Sequence, residues 1–106
     1  MFGLMVRFEV RPDTADAFDA LVARTIPLVA EHEPGTIVYA AHRIDGEPNA
    51  RLFYELYRDR AAFDEHADQP HIHRFVAGWR DLLAGPPRMK FLALSDASGV
   101  PVPADV

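Results

Sequence analysis

Cysteine is absent from this sequence, and with it go disulfides, thiolate catalysis, iron–sulfur clusters and cysteine-bound zinc. Basic runs are absent as well. The arginines stand apart and the formal charge is -5, so a surface that tracks nucleic-acid phosphates is not expected. No apolar run comes near the roughly 20 residues that span a bilayer; Phe91 to Leu94 is short, and Arg7 interrupts the stretch that starts at Met1. That opening also lacks the basic start, long apolar centre and small-residue cleavage site of a secretory signal. The expected location is the cytoplasm, without membrane contact. A glycine-rich phosphate loop, a Gly-x-Ser-x-Gly turn and a nucleotide-binding fingerprint are all missing, so flavin and nicotinamide have no visible seat and no cofactor is expected.

What remains is an ordinary globular composition, 49% hydrophobic and 25% charged over 106 residues. That length suits one domain with one modest core. Phe2, Leu4, Val6, Phe8 and Val10 alternate with Gly3, Met5, Arg7 and Glu9, the period of a strand. Phe18, Leu21, Val22, Thr25 and Val29 recur at helical spacing. Pro27 lies inside that helix, where a kink or a restart is expected, and Glu33-Pro34-Gly35 ends it. Thr36 to Ile44 and Arg51 to Arg58 read as a hairpin around Asp45-Gly46-Glu47-Pro48-Asn49. A second helical region opens at Asp59 and breaks at Asp68-Gln69-Pro70. It resumes with Ile72, Phe75, Val76, Trp79 and Leu83 on one stripe until Gly85-Pro86-Pro87. Arg88 to Ser95 is a last strand.

The order β-α-β-β-α-β predicts an α+β, ferredoxin-like fold: a four-stranded antiparallel sheet with its helices on one face. The domain is expected over residues 1–95, with a C-terminal tail at 96–106. Several strands carry apolar residues in both phases, as at Leu4 and Met5, Ile37 and Val38, Leu56 and Tyr57, Phe91 and Leu92. Helices cover one face only, and monomers rarely leave a large apolar face in water. A homodimer is therefore expected, two sheets packed face to face into one barrel.

The segments EPGTIVY and FYELYRDRAAFDEHADQPHIHRF resemble the antibiotic biosynthesis monooxygenase family. The family pattern is a Glu-Pro-Gly-x-x-x-Tyr turn into strand two, an aromatic-Glu-x-aromatic strand three, and a His-x-x-x-Pro-His step into the last helix. The resemblance runs from about Phe2 to Leu94. It implies a dimeric barrel and one of several chemistries: cofactor-free oxygenation of quinols and aromatic polyketides, haem degradation, or processing of a phosphorylated quorum signal. GPPRMKFLAL and PNARLFYELY are most similar to the signal-processing branch. Haem-degrading members place a histidine ligand where this chain has Val76 or Ala77, and a tryptophan where it has Tyr57. Both departures count against haem.

Function must then be argued from the site. If Phe53, Glu55 and Tyr57 face the helices, a carboxylate and a phenol enter apolar space, where a carboxylate needs a partner. His66 lies three residues after Phe63 and four after Ala62, beside the inward stripe. His71 follows Pro70 at a helix start, where the dipole disfavours a protonated imidazole. His71 and His73 are two apart and diverge, so no metal site is expected; His32 and His42 read as solvated or interfacial. The expected pocket binds a small molecule, with His66 or His71 as base, Tyr57 as donor and Glu55 as orienter. Phe53, Phe75 and Trp79 form its walls. The same set would serve an isomerase or tautomerase acting on a hydroxyketone. A non-catalytic binding dimer is the reading from another class.

Overall fold

The structure is a computed structural model that describes residues 1–100. Four strands form one antiparallel sheet: β1 (Phe2–Glu9), β2 (Thr36–Ile44), β3 (Glu47–Tyr57) and β4 (Arg88–Ala93), in the order β2-β3-β1-β4. The helices are α1 (Ala15–His32), α2 (Arg60–Ala67) and α3 (Pro70–Trp79). This is the α+β ferredoxin-like plan. The outer part of the expected tail, 101–106, lies outside the described residues.

The period-two pattern of β1 sends Leu4, Val6 and Phe8 into the core, where they meet Phe18 of α1 and Phe75 of α3. Each such side chain contributes about 1.5–3 kcal/mol by leaving water. Registered opposite them on the same face are Glu55, Phe53 and Arg51 of β3, and Phe91 and Met89 of β4. Aromatic contacts bind these layers: Phe8 lies 5.0 Å from Phe53 and 4.9 Å from Trp79, centroid to centroid.

Three local expectations are corrected and one is narrowed. Helix α1 continues through Pro27, so of a kink or a restart the restart does not occur. An internal proline costs about 3 kcal/mol, but Phe18 and Val22 before it and Val29 after it are all buried, and carrying the helix through keeps that larger gain. The hairpin turn is tighter than expected, with Gly46 at a φ of 79°, and Pro48 and Asn49 belong to β3. There β3 has passed the end of its pairing with β1, which stops at Ala50, so the missing proline N–H breaks no bond on that side. The last helix ends at Trp79 rather than near Gly85, because Leu82 and Leu83 turn back to the Trp79 carbonyl and Leu83 bridges to Val10. Strand β4 stops at Ala93, two residues short of Ser95, where its pairing with Phe2 ends.

Candidate active site

The site is built where the end of α1, the junction of α2 and α3, and the sheet meet. Asp59 caps α2 by accepting from the Ala62 amide at 2.9 Å, and Pro70 opens α3 at its first turn, where its missing N–H costs nothing. The break between these helices lets His66 end one and His71 begin the other, and both are buried. Gly35 permits the close approach: a Cβ there would stand 2.6 Å from the Cβ of Ala62. The turn carrying Glu33 is thereby pressed against α2.

Glu33 is the centre of a buried hydrogen-bonded knot. Its Oε1 accepts from His66 Nδ1 at 2.6 Å and from the Thr36 hydroxyl at 2.7 Å, and its Oε2 accepts from His71 Nε2 at 2.6 Å. Burial by itself would raise this carboxyl, yet the bonds from His66, Thr36 and His71 outweigh burial and leave it below the usual carboxylate range. Glu55 goes the other way. Burial pushes its carboxyl up, against the bond it accepts from the Tyr57 hydroxyl at 2.5 Å. Burial, reinforced by Glu55, pushes the Tyr57 phenol far upward, so it stays protonated and donates. Burial also raises the Tyr39 phenol, with the Glu55 and Glu33 charges adding to it.

Beside this knot lies a cavity of about 160 Å³, lined by Glu55, His66, Tyr39, Phe75 and Trp79 among apolar neighbours. Its mouth is marked by Ala67 and Met89, both exposed. An apolar cavity of about 150 Å³ holds one benzene ring, so this one is sized for a single ring. No arginine or lysine lines it. Among the described residues every buried side-chain nitrogen and oxygen has a hydrogen-bond partner. His66 Nε2 has none, standing 3.9 Å from Glu55 Oε1, so it is a nitrogen that reaches open space, and His66 lines the cavity.

Of the seven residues singled out from the sequence, His66, Glu55, Phe75 and Trp79 line the cavity. Three do not. Phe53 packs behind it against Phe8 and Phe75. Tyr57 lies fully buried with its hydroxyl donated to Glu55, so it is not a free donor toward the cavity. His71 faces Glu33 instead of the cavity, because its place in the first turn of α3 aims it at the end of α1. Sequence reasoning missed Glu33 and Tyr39 as site residues. A signal existed for Glu33: a carboxylate at a helix C-terminus opposes the helix dipole and needs compensation.

Comparison with known proteins adds the family. The family model described as antibiotic biosynthesis monooxygenase matches residues 1–78. The chain is 38% identical over 88 residues to "Uncharacterized protein sll1783" of Synechocystis, an alignment covering 83% of this chain and 59% of that protein's length. It is 34% identical to a Mycobacterium tuberculosis protein named "Putative monooxygenase Rv0793", covering 91% of this chain and 94% of that one. The solved structure of Rv0793 superposes with a TM-score of 0.85 at 30% identity, over 92% of this chain and 98% of that one. A Caulobacter crescentus structure from the same family superposes at 0.86 over 90% of each chain; at 24% identity it speaks for the fold alone.

Proposed function

The chain belongs to the antibiotic biosynthesis monooxygenase family, and from that premise we propose that it is a cofactor-independent monooxygenase acting on a small, uncharged hydroxyarene such as a hydroquinone. The observation that carries this reading is His66 Nε2, free of any hydrogen bond and opening into an otherwise apolar one-ring cavity, with Glu55 Oε1 3.9 Å away.

The substrate's O–H bond breaks and its proton goes to His66 Nε2. The phenolate's electron density at a ring carbon then forms a C–O bond to dioxygen, giving a ring-bound peroxide that takes back the proton from His66, which restores the base. Loss of the ring C–H proton and cleavage of the O–O bond release water and leave a carbonyl. For hydroquinone the sum is hydroquinone plus O₂ to hydroxybenzoquinone plus water, the substrate supplying all the electrons. The apolar wall keeps bulk water from the anion. The absence of lysine and arginine from the lining favours this reading over a phosphorylated substrate, whose charge would stand unpaired.

Oxygen uptake with a panel of hydroquinones and naphthols tests the proposal. One O₂ consumed per hydroquinone, lost in His66→Ala, is the expected result. No uptake above the protein-free rate across the panel, with deuterium exchange instead at a hydroxyketone's α-carbon, would move the site to the isomerase reading. The purified protein is expected to be colourless; a flavin or haem band surviving gel filtration overturns the cofactor-free part.

The outer sheet face supports a homodimer in the same proposal. Met5, Leu52, Tyr54 and Leu92 share that face, away from the helices, and remain only half-buried in the single chain. Light scattering after size exclusion is expected to give twice the 11.9 kDa chain mass.

A further inference from the structure

Behind His66, on the side away from the cavity, stands a carboxylate that takes no proton in the proposed reaction. We propose that Glu33 is the positioning residue of the site: it holds the His66 proton on Nδ1, turns the Nε2 lone pair toward the cavity, and balances the imidazolium formed when His66 takes the substrate's proton. The inference rests on the reading of His66 as the base.

A neutral imidazole carries one proton, and the nitrogen that donates to a carboxylate is the one that bears it. Nδ1 lies 2.6 Å from Glu33 Oε1, while Nε2 has nothing nearer than Glu55 Oε1 at 3.9 Å. The ring is boxed by Tyr39 at 5.1 Å and Tyr57 at 5.2 Å, centroid to centroid, which leaves little freedom to turn. Glu33 is itself clamped. Thr36 of β2 holds the oxygen that His66 uses, and His71 of α3 holds the other. Three elements thus converge on one carboxylate, with Glu55 of β3 beyond His66 and exposed His32, of α1, beside His71 at 5.9 Å.

Glu33 sits at the C-terminal end of α1, where the helix dipole disfavours an anion, and His66 sits in the last turn of α2, where it favours a cation. His71 acts one step further back. It never meets the cavity, but its bond to Oε2 fixes the carboxylate that fixes the base.

The test uses the whole protein and two readouts. Two-bond proton–nitrogen NMR of the imidazoles, without ligand, is expected to find the His66 proton on Nδ1. In Glu33→Gln the amide must donate to one of the two imidazoles, so a ring has to change tautomer or lose its bond. With hydroquinone as probe, kcat is then expected to fall by about 10³ to 10⁴-fold, the scale of a catalytic triad whose carboxylate becomes an amide, with KM little changed. His71→Gln keeps an N–H for Oε2, and retention of the Nδ1 tautomer with most of the turnover is the expected rescue. A wild-type His66 protonated on Nε2 overturns the proposal, as does Glu33→Gln with unaltered kcat; the wild-type spectrum decides even if the variant misfolds. If the wild type consumes no oxygen with hydroquinone while His66 keeps its Nδ1 proton and loses it in Glu33→Gln, the oxygenase reading falls and the positioning role of Glu33 stands.

Discussion

The described residues hold two knots of similar plan, one beside the apolar cavity that His66 lines and the other lining a hollow between α1 and the hairpin. In each, a carboxylate from α1 or its end is gripped by two nitrogen-bearing side chains. Asp19 takes Arg51 in a two-pronged bond at 2.8 and 3.0 Å, with Arg43 at 3.0 Å. Glu33 takes His66 and His71, both at 2.6 Å. Both carboxyls are held below the ordinary range. For Asp19 the Arg51 hydrogen bond is the main cause; for Glu33 the His66, Thr36 and His71 bonds overcome a larger opposing effect of burial. The difference is the partner. Arginine cannot give up its proton in a protein and gains its value from fixed, forked geometry, whereas histidine exchanges protons near neutral pH. One knot clasps α1 to the hairpin; the other can take part in a reaction.

The largest effects should split the two knots cleanly. His66→Ala is expected to cut turnover by about 10² to 10⁴-fold, the contribution of a positioned general base, measured as oxygen uptake with hydroquinone. Asp19→Ala should leave the reaction near wild type and lower the unfolding free energy in urea by about 3 kcal/mol, because it strands the buried Arg51 guanidinium. Pro48 and Ala50 carbonyls, each 2.9 Å from Arg51 Nη1, limit the damage. Comparable turnover losses in both variants would erase the distinction between the two knots.

Gly35→Ala probes how tightly the histidine knot is assembled. The new Cβ would meet the Ala62 Cβ at 2.6 Å, so α2 must move away from the turn that carries Glu33. Overpacking of this kind costs about 1–3 kcal/mol. Turnover is expected to fall as well, since His66 travels with α2 while Glu33 does not. The equivalent intrusion at Gly78, 2.9 Å from Leu21 Cδ2, meets the far end of a flexible side chain and should cost less, with turnover preserved.

Acid sensitivity separates the carboxylates by sign. Glu33 and Asp19 have depressed folded-state values, so their stabilisation is present above the ordinary carboxyl range, about 4, and is lost as pH falls through the folded values. Glu55 is raised. Its contribution is present below that range and is lost as pH rises through its folded value. Urea unfolding across pH should therefore show a shallower acid-side loss in Asp19→Asn, and a reduced loss on the rising side in Glu55→Gln. Only the second substitution should also depress oxygen uptake.

The sheet and its helices were legible because period two and period 3.6 leave separate signatures, as in β1 and on the Ile72, Phe75, Trp79 stripe. Where tertiary contacts decided between two local outcomes, the sequence left both open, as at Pro27, whose flanking residues pack strongly enough to carry the helix through without a restart. In the site, His66 and Glu55 were readable because each interrupts an apolar pattern on an inward face. His71 and Tyr57 were placed correctly inside the protein but assigned to the wrong space, since spacing along the chain reveals burial and not which neighbour a side chain addresses. Glu33 was hidden in a turn whose Pro-Gly explained itself. Its partners come from 33 and 38 residues further along, beyond any local pattern.

The smallest effect tests the outermost member of the arginine knot. Arg43 donates to Asp19 Oδ2 at 3.0 Å, the oxygen that Arg51 Nη2 also uses, but its side chain is 77% exposed where that of Arg51 is 5%. A charge in that position keeps most of its hydration and is screened by salt, and such pairs contribute roughly 0–1 kcal/mol. Arg43→Ala is therefore expected to change the unfolding free energy by less than about 1 kcal/mol, with the difference shrinking further in high salt. Thr36→Val removes the corresponding third partner of Glu33 from a half-buried position, and the loss there should be about 1 kcal/mol with little salt dependence. Equal, salt-sensitive losses in the two variants would mean that the histidine knot is open to solvent, contrary to the burial on which its role depends.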